Sequence, residues 1–171
     1  MATRSVTHST FTIERAFNAP IERVFAAWGD PVFKNRWFVG EQGGDAAPMD
    51  LDFRVGGTER TSFRNTEGGP VFSYEAVFRD IVPNERIVLT NHMHSDETRI
   101  SVNLVHIQFD PTDAGTLVTI TDHGTYLDGH DRADWREAGT RDELDRLEKE
   151  LDSMSAPGIE EGPQSLAALP A

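Results

Sequence analysis

Residues 130–152 read HDRADWREAGTRDELDRLEKELD, and this stretch decides how the rest of the chain must fold. Six apolar residues recur mainly on one side of it: Ala133, Trp135, Ala138, Leu144, Leu147 and Leu151. Charged residues occupy the opposite side, and this pattern predicts a long amphipathic helix. Because one apolar stripe has to be covered, the helix requires a complementary apolar surface elsewhere in the chain.

A series of strands between residues 49 and 123 supplies that surface. Apolar residues alternate with polar ones along each segment, as Phe72, Tyr74, Ala76 and Phe78 do, and this period of two is typical of half-buried strands. Short polar turns separate the segments and make their neighbours antiparallel. We predict six segments, which form five or six strands: Met49–Val55, Thr58–Arg64, Phe72–Ile81, Ile87–Met93, Arg99–Phe109 and Leu117–His123.

The residues before this region predict one more strand and two short helices. Thr10–Phe17 alternates in the same way as the later strands. Pro20 can occupy the first turn of an amphipathic helix. Asp30 stands directly before Pro31 and offers an N-cap oxygen to a second short helix, which Gly40 ends.

At 171 residues the chain has the length of one ordinary domain. We predict a single α+β domain over residues 10–152, in which a curved antiparallel sheet wraps around the long C-terminal helix. Residues 1–9 are expected to be a flexible N-terminus. Residues 153–171, rich in Ser, Pro, Gly, Glu and Ala, are expected to be a flexible tail.

The composition excludes several classes of function. Lys and Arg total 16 against 29 Asp and Glu, a formal net charge of −13, so phosphate backbones and anionic membrane surfaces are repelled. We therefore expect neither nucleic acid nor a membrane as partner. The absence of cysteine removes disulfides, thiolate nucleophiles and Cys-type zinc sites. With no signal-peptide pattern and no long apolar run, a soluble cytoplasmic protein is expected, as a monomer or homodimer.

Several motifs resemble one known family. They are RAFNAPIERVF at 15–25, AWGDP at 27–31, NRWF at 35–38, DFRVGG at 52–57, GTLVTIT at 115–121 and REAGT at 136–140. Together with the order of elements, they resemble the AHSA-type branch of the START-like SRPBCC superfamily, the homologues of the heat-shock chaperone ATPase activator. The resemblance covers about residues 10–152.

This resemblance implies a helix-grip fold with an internal cavity between sheet and helix. Across the superfamily such cavities take lipids, hormones, polyketides and other apolar ligands. We therefore expect a small hydrophobic or amphipathic molecule as partner, with no cofactor. Two alternatives stay open: a cyclase-like or hydrolase-like enzyme, and a protein that modulates a heat-shock chaperone ATPase by docking to it.

Two strands offer polar candidates for the cavity wall. His106 shares the parity of Ile100 on its strand, and Asp122 follows Ile120 at the same parity on the next. Either can act as general acid or base in a dry cavity. The convex, solvated face is the alternative place for His106. A buried Asp122 requires a partner such as Arg136, or a raised pKa.

The remaining candidates come from the helices and the central strand. Arg136 and Thr140 precede the leucine stripe of the long helix and can project toward the cavity. Trp37, Phe38 and Tyr74 have the large aromatic bodies that line ligand cavities, although ordinary cores use such residues too. His92, His94 and Asp96 lie close in sequence at a strand end, where exposed histidines are common, so no metal site is predicted there.

Overall fold

The computed structural model describes residues 4–40 and 47–155 and confirms the predicted α+β arrangement. Its seven strands are β1 (Val6–Phe17), β2 (Ala47–Leu51), β3 (Thr58–Phe63), β4 (Phe72–Val82), β5 (Arg86–Ser95), β6 (Thr98–Thr112) and β7 (Gly115–Leu127). They form one curved antiparallel sheet in the order β1-β7-β6-β5-β4-β3-β2. The first and last strands of the chain are therefore neighbours, and the others follow one another as hairpins.

The helices are α1 (Ile21–Gly29), α2 (Pro31–Lys34) and α3 (Ala133–Ser155), and a π-helical turn over Asn35–Val39 continues α2. The predicted cap is present, because Asp30 Oδ1 accepts a 2.8 Å hydrogen bond from the Phe33 backbone N–H. The π-helical turn stops at Gly40, whose φ of 71° is readily adopted by glycine. None of the described helices has the length and apolar character needed to cross a membrane.

Two predicted boundaries need correction. Strand β1 begins at Val6, which pairs with Leu127 at the end of β7, so residues 6–9 are strand and the expected flexible N-terminus is wrong there. Strands β1 and β7 are both longer than predicted, because each supplies backbone hydrogen-bond partners to the end of the other. Helix α3 continues to Ser155, and residues 1–3 and 156–171 of the expected termini lie outside the described residues.

The core lies between the concave face of the sheet and the C-terminal half of α3. Leu144, Leu147 and Leu151 are buried there, as predicted from the stripe. In the N-terminal half of the same helix, Ala138 is exposed and 58% of Trp135 is exposed, which corrects their expected burial. That half of the helix borders a cavity.

A chain of aromatic rings joins the short helices to the sheet. Trp28 packs against Phe109 on β6 and against Trp37, with ring centroids 5.1 Å and 4.9 Å apart. Phe38 lies 5.8 Å from Trp37 and 5.0 Å from Tyr74 on β4. These contacts fix Trp37 and Phe38 against the concave face.

One irregularity in β6 reverses the face on which its residues lie. Met93 pairs with Ser101 and His94 with Arg99, so Ile100 is an extra residue and forms a bulge. Ile100 and Ser101 are both buried, and beyond them the inward residues are Asn103, Val105, Ile107 and Phe109. The shared face expected for Ile100 and His106 is therefore wrong, and His106 lies on the convex side.

Truncation of Leu147, which is fully buried, tests the packing of helix on sheet. We expect Leu147→Ala to lower the free energy of unfolding by about 2–5 kcal/mol, because it removes buried methyl groups and leaves a void. Leu104→Ala on the convex face is the matched control and should change it by less than about 0.5 kcal/mol. Urea denaturation measures both, and equal losses would contradict the assigned faces.

Candidate functional site

A cavity of about 410 Å³ lies between the concave face and the N-terminal half of α3. Its lining includes six of the residues predicted for it: Trp37, Phe38, Tyr74, Asp122, Arg136 and Thr140. The seventh, His106, is half-buried on the opposite face of the sheet and does not contribute. The bulge at Ile100 explains the difference, since a single inserted residue shifts the parity of the strand.

Apolar side chains form most of the cavity wall. Trp37 and Tyr74 are buried, and the Trp37 indole N–H donates a 3.0 Å hydrogen bond to the Ala27 carbonyl. The tryptophan is therefore held in one orientation by both its ring contacts and its polar atom. Further apolar residues of the sheet line the cavity, among them Leu89, Met93, Ile100, Val105, Ile107 and Ile120.

An ion pair lies fully inside this apolar surface. The Lys34 ammonium at the end of α2 contacts Glu59 Oε2 on β3, and both side chains are almost completely inaccessible to solvent. The ammonium also lies 5.3 Å from the ring centroid of Phe38 and 5.8 Å from that of Trp37, a favourable arrangement for a cation. Sequence reasoning missed this pair, because a lysine in a short helix and a glutamate in a strand are typical of solvated positions.

A second carboxyl group faces the same part of the cavity from α3. Withdrawal from water raises the pKa of Glu143 to about 7, and Glu59 adds to the rise, while Arg146, Arg136 and Lys34 oppose it. Burial also raises the pKa of Tyr74 well above its usual value, and the carboxylates of Glu59 and Glu143 add to it. The Glu143 carboxyl therefore changes its charge near neutral pH.

The Arg146 guanidinium forms hydrogen bonds with the protein backbone. It donates hydrogen bonds of 2.7 Å and 3.1 Å to the backbone carbonyls of Trp37 and Phe38. These carbonyls belong to the π-helical turn, so the arginine fixes that turn to α3. The turn holds the two aromatic side chains at the cavity.

A second polar cluster includes Asp122 on β7, which is buried as expected. It accepts a 2.7 Å hydrogen bond from the Asn103 side-chain N–H, and burial raises its pKa, against the opposing charge of Arg136. The direct partner of Arg136 is Asp131, at 2.6 Å, and the guanidinium also donates to the Ser101 hydroxyl. Of the two states predicted for Asp122, the structure shows the raised pKa without the direct ion pair.

The Tyr126 side chain belongs to the same cluster and packs directly against the backbone of Gly124. A Cβ atom at position 124 would lie 2.4 Å from the Tyr126 hydroxyl oxygen and 2.5 Å from the adjoining ring carbon, so the ring position requires glycine there. Burial raises the pKa of Tyr126 to about 12. Its buried hydroxyl has no hydrogen-bond partner within the described residues.

The histidine pair of β5 lies outside the cavity. His92 and His94 are half-buried on the face opposite Asn91 and Met93, with ring centroids 5.2 Å apart. Across residues 4–40 and 47–155, no three His, Asp or Glu side chains are grouped so as to hold a metal ion.

A family model described as "Activator of Hsp90 ATPase homolog 1-like protein" matches residues 18–152. The chain belongs to this family. The match includes α1, the sheet from β2 to β7 and most of α3, the elements that carry the cavity. No curated protein matches the chain.

Solved structures support the assignment. An uncharacterized protein from Rhizobium leguminosarum is 41% identical, covers 88% of this chain and 99% of its own, and has a TM-score of 0.83. The protein Mll3558 from Rhizobium loti is 42% identical over 86% of this chain and 99% of its own, with a TM-score of 0.78. An AHSA1-like protein from Aeromonas hydrophila, at 22% identity over 88% and 96% of the two chains and a TM-score of 0.66, shows the shared fold.

The raised pKa of Glu143 predicts how stability depends on pH. Its folded value of about 7 exceeds the ordinary 4.5, so folding favours the protonated carboxyl and stability falls as the pH rises between these values. The glutamine side chain of the Glu143→Gln variant is uncharged over this whole pH range. We expect the variant to melt at a higher temperature than the wild type at about pH 8 and at the same temperature below about pH 4.5.

Thermal unfolding followed by circular dichroism over this pH range measures the difference. Glu148→Gln is the control on the same helix, because Glu148 is exposed and pairs with Arg15. Parallel curves for the wild type and Glu143→Gln would contradict the burial of this carboxyl in its ionised form.

Proposed function

We propose that the chain binds a small amphipathic molecule in the cavity between the sheet and α3. One observation carries the proposal: the cavity has a volume of about 410 Å³ and an apolar wall in which a few polar groups are buried. Ligand sites commonly have such volumes, with apolar walls that supply affinity and few polar groups that fix orientation.

The position of the polar groups supports an amphipathic ligand over a purely apolar one. Lys34, Glu59 and Glu143 face one part of the cavity, whereas Asp122 and Arg136 belong to the second cluster. A purely apolar ligand would withdraw Glu59 Oε1 and the Glu143 carboxyl, which have no partner among the described residues, from water, and this is costly. A molecule with a polar end satisfies them.

Catalysis by the cavity carboxylates is the first alternative. Glu143 and Asp122 both have raised pKa values, and such groups serve as general acids or bases when a reacting atom is within reach. The second alternative, modulation of a chaperone ATPase, rests on the description of the family. It requires an exposed docking surface and no occupied cavity.

A pair of substitutions on β6 separates binding in the cavity from the docking alternative. Val105 lines the cavity, and Val102 lies three residues away on the convex face. We expect Val105→Phe to weaken binding of 1-naphthalenemethanol by about tenfold or more, because the added ring atoms fill space that the ligand needs. Val102→Phe should leave the affinity unchanged.

Isothermal titration calorimetry measures both affinities, and native mass spectrometry of the purified protein shows whether a small molecule co-purifies. Melting curves establish that both variants fold. An empty wild-type protein that also fails to bind the probe would overturn the proposal. In that case, complex formation with an Hsp90-type chaperone that Val105→Phe leaves intact would support the docking alternative.

A further inference from the structure

A transverse row of paired residues crosses the concave face of the sheet, and two of its members, Glu59 and Asn91, line the cavity. Glu59 on β3 pairs with Ala76, which pairs with Asn91, which pairs with Asn103, which pairs with Gly124 on β7. Paired residues share one face, and all five are buried on the concave side. The row thus places three polar side chains beside two of the smallest residues.

Three acceptor atoms in this row have no partner among the residues the structure describes: Glu59 Oε1, Asn91 Oδ1 and Asn103 Oδ1. The Asn103 amide is oriented by its N–H bond to Asp122, so its oxygen remains the unpaired atom. Glu59 contacts the Lys34 ammonium through Oε2, which leaves Oε1 as a further acceptor. Buried acceptors without donors are unfavourable, and Glu59 Oε1 and Asn91 Oδ1 belong to residues that line the cavity, so a ligand that brings hydrogen-bond donors is favoured there.

The charges that line the cavity indicate which kind of donor. Five carboxyl groups line it: Glu59, Asp122, Asp131, Asp142 and Glu143. Three cations face them, and each is occupied: Lys34 with Glu59, Arg136 with Asp131, and Arg146 with two backbone carbonyls. Glu143 forms no ion pair in the described part of the chain. When all five carboxyl groups are ionised, they outnumber the three cations, and the cavity then has an excess of negative charge.

We propose that the ligand's polar end is a protonated amine, held between Glu59 and Glu143, while its apolar body packs against Trp37 and Phe38. This inference rests on the proposed function and specifies the class of ligand. An ammonium group has three donors and no acceptor, which matches unpaired acceptors in a negatively charged pocket. Aromatic faces beside the carboxylates add to the attraction.

A neutral alcohol satisfies this site less well, and a carboxylate is repelled. An alcohol has one donor to share among the acceptors and carries no charge to balance Glu143. A carboxylate brings further acceptors and further negative charge next to Glu59. The order of affinity expected at the site is therefore amine, then alcohol, then carboxylate.

The charge of Glu143 gives the binding a pH dependence. The groups that face it are Arg146 and Arg136 from α3, Lys34 from α2, Glu59 from β3 and Tyr74 from β4. The pKa of Glu143 is about 7, so the carboxyl loses its proton between about pH 5.5 and 8. An amine binds the ionised form better, and its affinity should rise over this interval with release of a proton.

Three probes with one ring system test the inference on the full chain: 1-naphthalenemethylamine, 1-naphthalenemethanol and 1-naphthoate. We expect the amine to bind about tenfold more tightly than the alcohol at about pH 8 and about threefold more tightly at about pH 5.5. The affinity for the alcohol should be independent of pH. Isothermal titration calorimetry in two buffers of different ionisation enthalpy measures the affinities and the released proton.

Two variants assign the preference to these carboxyl groups. Glu143→Gln should remove the pH dependence and most of the preference for the amine over the alcohol. Glu148→Gln is the control and should retain both. Glu59→Gln should also lose the preference, but it leaves Lys34 buried without its counter-charge and can fail to fold, so the test depends on Glu143→Gln.

The outcomes distinguish this inference from the proposed function. Equal affinities for amine and alcohol at both pH values, or tightest binding of the carboxylate, would overturn the inference and leave the cavity as a ligand site. Preference for the amine that survives Glu143→Gln would also overturn it. If no probe binds and no molecule co-purifies, the proposed function itself fails.

Discussion

The packing of Leu144, Leu147 and Leu151 against the concave face of the sheet is the contact on which the rest of the structure depends. A sheet with one apolar face is stable only when that face is covered. The leucines occupy the C-terminal half of α3 alone, and the helix presents Arg136, Thr140 and Glu143 over the other part of the sheet. One helix therefore completes the core at one end and encloses a cavity at the other.

The cavity retains polar groups that contribute little to stability. Replacing a buried ion pair such as that of Lys34 and Glu59 by well-packed apolar residues is often neutral or stabilising. Unpaired buried acceptors such as Asn91 Oδ1 are unfavourable in themselves. Sites that depart from the pattern of an apolar core in this way are typical of function. The same reasoning applies to the carboxyl of Glu143, which is ionised only at a cost.

The sequence predicted the fold well because its signals are local. The alternation in the strands, the Asp30 cap and the leucine stripe each depend on residues close together in the chain. The extension of β1 to Val6 was not foreseen, since its cause is pairing with Leu127, more than a hundred residues away. Nor does alternation reveal a bulge, because one inserted residue at Ile100 reverses the face of every residue after it.

The prediction from sequence included the aromatic wall of the site and two of its charged residues, Asp122 and Arg136, but it missed Lys34, Glu59 and Glu143. Trp37, Phe38 and Tyr74 are apolar, and apolar residues in periodic elements are expected inside. Lys34, Glu59 and Glu143 come from three separate elements, and only the assembled sheet and helices bring them to one cavity. Each was compatible with a solvated surface position when considered alone. The ion pair of Lys34 with Glu59 and the raised pKa of Glu143 arise from mutual proximity and burial, which no periodic pattern encodes. The parity of β3 is the single signal that was available, since Glu59 shares a face with Thr61 beside Tyr74.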